Sequence, residues 1–155
     1  MPFLLWRAKK EYVDFLAFFD DGKFVGFTYL VTQKDLTLVL YIAVSDKIQS
    51  KGYGGKIMSH IRELYPANRI ILNIEALDEQ AKNNEQRIKR RAFYIKNGYK
   101  SSGIIATDKK ATFENLIIGG SCKIEEYKAL IKKFTGLIFG LFVRHNLSYS
   151  NDKAD

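Results

Sequence analysis

The apolar run from Leu36 to Val44 ends in a basic, glycine-rich turn and passes at once into a helical pattern. The stretch reads Ile42-Ala43-Val44-Ser45-Asp46-Lys47-Ile48-Gln49-Ser50-Lys51-Gly52-Tyr53-Gly54-Gly55-Lys56. Gly52, Gly54 and Gly55 have no Cβ, so the backbone can turn sharply there and approach a ligand. The first N–H groups of a helix have no partner inside it and carry the positive end of its dipole. A phosphate or pyrophosphate is the natural guest of such a place, and Lys47, Lys51 and Lys56 add charge around it. The same residues also suit an ordinary strand-to-helix turn in which glycine gives only tightness, and the loop by itself leaves both readings open.

The flanking pattern predicts alternating elements. Glu11 to Phe19, Phe24 to Thr32 and Leu36 to Val44 read as strands, with Asp20-Asp21-Gly22-Lys23 as a hairpin turn. Their short connections predict an antiparallel meander. Gly55 to Tyr65 carries Ile57, Met58, Ile61 and Leu64 at helical spacing, and Pro66 stops it. Ile70-Ile71-Leu72 forms the core of a strand over Arg69 to Ala76. Asn83 to Asn97 is a charged helix closed by Gly98. Tyr99 to Thr107 and Thr112 to Ile118 are two more strands. Lys123 to Val143 reads as a long terminal helix with bends near Gly136 and Gly140. The stretch from Ser148 onward reads as a polar tail.

At 155 residues the chain is long enough for one domain with a substantial core. Its net charge of +8 suits an anionic ligand, nucleic acid or a membrane surface. No aromatic-rich RNA motif or zinc-finger spacing supports nucleic acid, which stays the minor reading. The apolar part of Leu130 to Val143 falls short of the ~20 residues that span a bilayer. Cys122 is the only cysteine, so an internal disulfide is excluded, and a lone thiol suits a reducing cytoplasm.

Gln49-Ser50-Lys51-Gly52-Tyr53-Gly54 resembles motif A of the GNAT superfamily of N-acetyltransferases, whose signature is Gln/Arg-x-x-Gly-x-Gly/Ala. Arg91-Ala92-Phe93-Tyr94-Ile95-Lys96-Asn97-Gly98-Tyr99 resembles motif B. The two stand in the family's order, and the likeness runs roughly from Asp21 to Thr112. It implies an α/β, mixed α+β fold: a three-layer αβα sandwich around a mixed, mostly antiparallel, splayed sheet of the acyl-CoA N-acyltransferase type. The N-terminus is short for that fold and the C-terminal helix is additional. The expected organisation is a GNAT-like acetyl-CoA-binding domain over 1–122, a helical extension packed on it over 123–147, and a polar tail over 148–155.

The resemblance implies acetyl transfer from acetyl-CoA to a primary amine, on a small molecule or a protein, by direct attack. It implies cofactor contacts from Ile42, Ala43, Val44, Gln49, Ser50, Lys51, Gly52, Tyr53, Gly54, Gly55 and Lys56. The Ile42 N–H is the expected donor to the thioester carbonyl. Tyr94 stands where family members protonate the leaving sulfur. Glu75 is the nearest carboxylate for a base, with a surface strand residue paired to a lysine as its alternative and ordered water as another route. His60 reads as a packed or solvated histidine.

Three departures from the family pattern stand out. Leu38 occupies the strand position where many relatives carry Glu. Arg87 and Arg90 stand where Asn and Ala are usual, so Arg87 either contacts the cofactor or forms a solvated basic face. The short N-terminus lacks helices that build the acceptor side, and Phe134, Leu137, Ile138, Leu141 and Phe142 either cover that face or form a homodimer interface. The alternatives to an active enzyme are a catalytically weak CoA-binding domain of the same fold and a basic nucleic-acid-interaction module.

Overall fold

The computed structural model describes residues 10–48, 51–107, 111–139 and 146–150. Among them the chain has the mixed α+β class, with seven strands of a mixed sheet and three helices. It divides into two compact units, residues 1–70 and 71–155.

The first unit is an antiparallel meander of β1 (Val13–Asp20), β2 (Lys23–Gln33) and β3 (Leu36–Val44), followed by a short 3-10 turn (Asp46–Ile48) and α1 (Tyr53–Leu64). Asp21 and Gly22 both have positive φ, the two-residue turn whose twist matches a hairpin. Two register shifts bend the meander, between Phe18 and Phe19 and between Tyr29 and Leu30. Gly26 is obligatory in β2, because a Cβ there would lie 2.2 Å from the Ala43 carbonyl oxygen. Helix α1 buries Ile57, Met58 and Ile61, the apolar positions that its sequence spacing predicts. Its end is tied to β1 by the Tyr65 hydroxyl, which donates to the Asp14 carboxylate. Arg69 holds Asp35 with two hydrogen bonds, of 3.1 and 2.9 Å, and so fixes the β2–β3 turn.

The second unit takes over within β4 (Arg69–Glu75). It continues with α2 (Asn84–Lys96), β5 (Lys100–Thr107), β6 (Thr112–Ile118), α3 (Ile124–Phe139) and β7 (Asn146–Tyr149). Its strands run in the order β4-β6-β5-β7. Its core holds Ile71, Leu72, Ile74, Ile104, Leu116, Ile117 and, from α3, Tyr127, Leu130 and Phe134. Strand β7 corrects the reading of a polar tail from Ser148: Ser148 and Tyr149 pair with Ile105 and Ile104. The alternation of Asn146, Leu147, Ser148 and Tyr149 was the available signal, but four residues are too few to stand out.

The terminal helix breaks at Gly136, whose φ of 77° and ψ of 171° are not helical. Gly140 and residues 141–145 lie outside the described residues, as do the side chains of Leu137 and Ile138. Phe134 is buried within the chain, so it belongs to the core and not to an open patch. No helix among the described residues is long and apolar enough to cross a membrane.

Candidate active site

The turn after β3 builds an anion receptor from backbone. Gly52 caps α1 in the left-handed region, at φ 79° and ψ 2°, a conformation that glycine adopts without strain. A Cβ at Gly52 would meet nothing within 4 Å. The first bond of the helix is Lys56 N–H to Gly52 C=O at 3.2 Å. The N–H groups of Tyr53, Gly54 and Gly55 therefore have no acceptor inside the helix. No side chain among the described residues caps this end and no acid lies in its first turn. The helix begins at Tyr53, two residues before the sequence pattern suggests, so Gly54 and Gly55 are its first-turn residues. Gln49 and Ser50 of the motif lie outside the described residues.

Tyr53 leans toward the β1–β2 hairpin and donates its hydroxyl to Asp20 at 2.6 Å. That bond to a carboxylate raises the Tyr53 pKa above its ordinary value and keeps the phenol neutral. The Lys56 ammonium lies 5.0 Å from the Tyr53 ring centroid. Lys51 and Lys56 are exposed, and no carboxylate among the described residues forms an ion pair with either. A diphosphate fits this donor set, with three backbone N–H groups and two exposed cations, while Asp20 on the same side is held by the Tyr53 hydroxyl. Beside it lies a pocket of about 240 Å³ lined by Phe18, Val25, Tyr53, Lys56 and His60 among others. His60 is exposed, with Phe18 edge-on at 5.8 Å on one side and Glu63 3.6 Å from its Nδ1, so it is the solvated histidine of the two readings with one ring contact.

Strand alternation orients the backbone of β3. The Ser45 N–H donates to the Val25 carbonyl at 2.8 Å. N–H groups two residues apart point the same way along a strand. Those of Tyr41 and Ala43 therefore face β2, while those of Ile42 and Val44 point away from it. The resemblance names Ile42 and Val44 as the residues whose backbone meets the cofactor.

In the second unit the end of β4 is occupied by the protein's own groups. Arg87 donates Nε to Asn83 at 2.9 Å, Nη1 to the Ala76 carbonyl at 2.8 Å and Nη2 to Glu75 at 3.2 Å. Arg90 and the Asn83 amide donate to the other oxygen of Glu75, at 3.2 and 3.3 Å. Glu75 is thus paired, by two arginines and not by a lysine. The sequence names each member of this cluster; it does not show that they bind one another. It also gives no sign of the Arg91–Glu114 pair, at 2.9 and 3.3 Å, or of Asp20 as the partner of Tyr53, because both join residues remote in the chain.

Tyr94 is buried on α2, with ring centroids 5.1 Å from Phe93 and 5.9 Å from Tyr99. Burial pushes its pKa up, against a smaller lowering by Arg90, so the hydroxyl keeps its proton at neutral pH. Gly98, at φ 89°, ends the helix with bonds from Gly98 N–H to Ile95 C=O and from Tyr99 N–H to Tyr94 C=O, the paired closure of a Schellman motif.

Known proteins resemble this arrangement. A family model described as acetyltransferase (GNAT) domain matches residues 11–101, more than half of the chain. A protein from Bacteroides thetaiotaomicron described as GNAT-family superposes with a TM-score of 0.62 at 17% identity, covering 85% of this chain and 76% of its own. The ribosomal-protein-S18-alanine N-acetyltransferase of Escherichia coli gives 0.59 at 18%, covering 78% and 77%. A Bacillus subtilis acetyltransferase in complex with CoA gives 0.56 at 15%, covering 71% and 78%. No curated protein matches this sequence closely enough to lend it a function.

Proposed function

This chain belongs to the GNAT family of acetyltransferases, and on that premise we propose that it transfers an acetyl group from acetyl-CoA to a primary amine in the cytoplasm. The observation that carries the reading is the first turn of α1: a left-handed glycine cap and three N–H groups with no helical acceptor. Tyr53, Gly54 and Gly55 would hold the diphosphate through backbone N–H groups. Lys51 and Lys56 supply screening charge, and Gln49 and Ser50 stay in the same assignment through the motif alone.

When bound, acetyl-CoA supplies the thioester whose C–S bond breaks as the amine nitrogen forms its C–N bond. The Ile42 N–H, which points away from β2, would donate to the thioester carbonyl as a backbone donor in an oxyanion hole does. Tyr94 holds on its hydroxyl oxygen the proton that a departing thiolate takes up. The amine's own proton goes to water, because Leu38 stands where relatives carry Glu and the oxygens of Glu75 already accept three N–H bonds. We assign Glu75 and Arg87 to positioning α2. That reading replaces a cofactor contact for Arg87 and a base role for Glu75.

A second reading, a CoA-binding domain without turnover, is favoured by the buried apolar Leu38 alone. Thiol release from acetyl-CoA across a panel of amines tests the proposal. Amine-dependent release supports transfer. CoA binding without release with any amine supports the second reading.

A further inference from the structure

The pocket between the β1–β2 hairpin and α1 has no assigned role. Its volume is about 240 Å³, below the ~300–1,000 Å³ of sites for drug-sized ligands, so its guest is small. Helix α1 supplies Tyr53, Lys56, Ile57 and His60. They stand at i, i+3, i+4 and i+7, which is one helix face. The hairpin supplies Phe18, Phe19, Asp20 and Val25. Successive strand residues normally point to opposite faces. The register shift between Phe18 and Phe19 breaks that alternation and lets both rings line one pocket. Val25 and Ile57 are buried and form its floor. Phe19 is 64% exposed, with the Phe24 ring edge-on to it at 5.8 Å.

The polar groups of this pocket are a split charge pair. Asp20 Oδ2 accepts from the Tyr53 hydroxyl at 2.6 Å, and its Oδ1 has no hydrogen-bond partner among the described residues. The Lys56 ammonium lies 5.0 Å from the centroid of the same tyrosine ring. Asp20 and Lys56 line one pocket, yet among the described residues neither forms an ion pair. One charge sits at the Tyr53 hydroxyl and the other beside its ring, a span that the ammonium and carboxylate of one α-carbon bridge. A lone carboxylate would meet Asp20 and a lone ammonium would meet Lys56, each a like-charge cost. A guest that carries both charges avoids both costs. Phe18, Phe19 and His60 add rings for offset or edge-to-face stacking, which an aliphatic guest would leave unused.

We propose that this pocket binds a free aromatic α-amino acid, with its carboxylate on Lys56, its ammonium on Asp20 and its ring against Phe18, Phe19 and His60. The assignment does not depend on the acetyltransferase reading. Lys56 also stands at the α1 turn, so the site is tested without CoA.

The test is calorimetric titration of the full chain with L-phenylalanine, hydrocinnamate, phenethylamine and L-alanine, repeated on Asp20→Asn and Lys56→Met. L-Phenylalanine is expected to bind at least about tenfold tighter than L-alanine, or about 1.4 kcal/mol for the ring. Hydrocinnamate lacks the ammonium and phenethylamine lacks the carboxylate. Each is expected to bind at least about threefold more weakly than L-phenylalanine, the size of one exposed charge pair. Asp20→Asn is expected to weaken L-phenylalanine at least about threefold and hydrocinnamate not at all. Lys56→Met is expected to weaken L-phenylalanine by as much and phenethylamine not at all. A merely structural effect would weaken every ligand alike. Lys56→Met carries the test alone if Asp20→Asn does not fold, because Lys56 is exposed on the helix. Undetectable binding of L-phenylalanine at millimolar concentration overturns the proposal, as does equal binding of L-alanine. So does L-phenylalanine binding indifferent to either substitution in a folded variant. Tighter binding of either singly charged analogue overturns it too, since the pocket would then read one charge only.

Discussion

Helices α1 and α2 both begin just beyond the end of a strand, yet their first turns are used in opposite ways. At α1 the cap is Gly52, where a Cβ would meet nothing within 4 Å, and no acid lies in the first turn. At α2 the cap is Asn83, Glu85 lies in the first turn, and Arg87, Asn83 and Glu75 bond to one another across the same region. The Asn84 side chain accepts from the Asp78 N–H at 3.0 Å. Glycine and exposed lysine mark the first end, and interlocked Asn, Arg and Glu side chains mark the second.

Substitutions at the two ends should separate the roles. Gly54→Glu places a side chain and a negative charge among the α1 donors, and CoA affinity should fall at least about 100-fold, or about 2.7 kcal/mol. The Arg90→Ala change at α2 should leave CoA affinity unchanged in the same titration. Tyr94→Phe keeps the buried ring and removes the proton. We expect kcat to fall by about 10²-fold, the low end for a general acid, with KM little altered. Unchanged turnover would remove the acid assignment.

Glu75→Gln breaks charge-assisted bonds that are partly exposed and should cost about 1–2 kcal/mol in urea unfolding. Turnover should stay within about threefold, since the residue positions α2. A large loss of turnover at full stability would instead make Glu75 the base. Lys51→Ala and Lys56→Ala should each weaken CoA only a few-fold, less at high salt, because exposed charges are screened.

Tyr65 and Tyr94 are both pushed above their ordinary pKa, first of all by burial. The unfolded chain therefore loses these protons first as pH rises. Their contribution to stability is complete below about pH 10 and is lost above it. Thermal unfolding from about pH 8 to 11 should show a falling midpoint over that upper range.

The elements with strong periodicity were legible from sequence. The meander, α1 with Ile57, Met58 and Ile61, and α2 closed by Gly98 all follow from local spacing and turn chemistry. So does the open turn at Gly52, because a run of glycines acts through the backbone it occupies. Strand β7 was hidden, since its partner β5 lies some forty residues away and only that pairing makes four residues a strand. The Glu75–Arg87–Arg90 cluster was hidden for a related reason. Charged residues on a helix read the same whether they face solvent or a carboxylate on a strand. The aromatic face of β1–β3 was hidden as well. Phe15, Tyr29 and Tyr41 align across strands only through the register, and two bulges set that register.

The most direct measurement is titration of the wild-type protein and Gly54→Glu with CoA by calorimetry, with circular dichroism to confirm that both are folded. The account predicts one-to-one binding by the wild type and none detectable for the variant at the same concentrations. Equal affinity in the two proteins would mean that the first turn of α1 is not where the diphosphate sits.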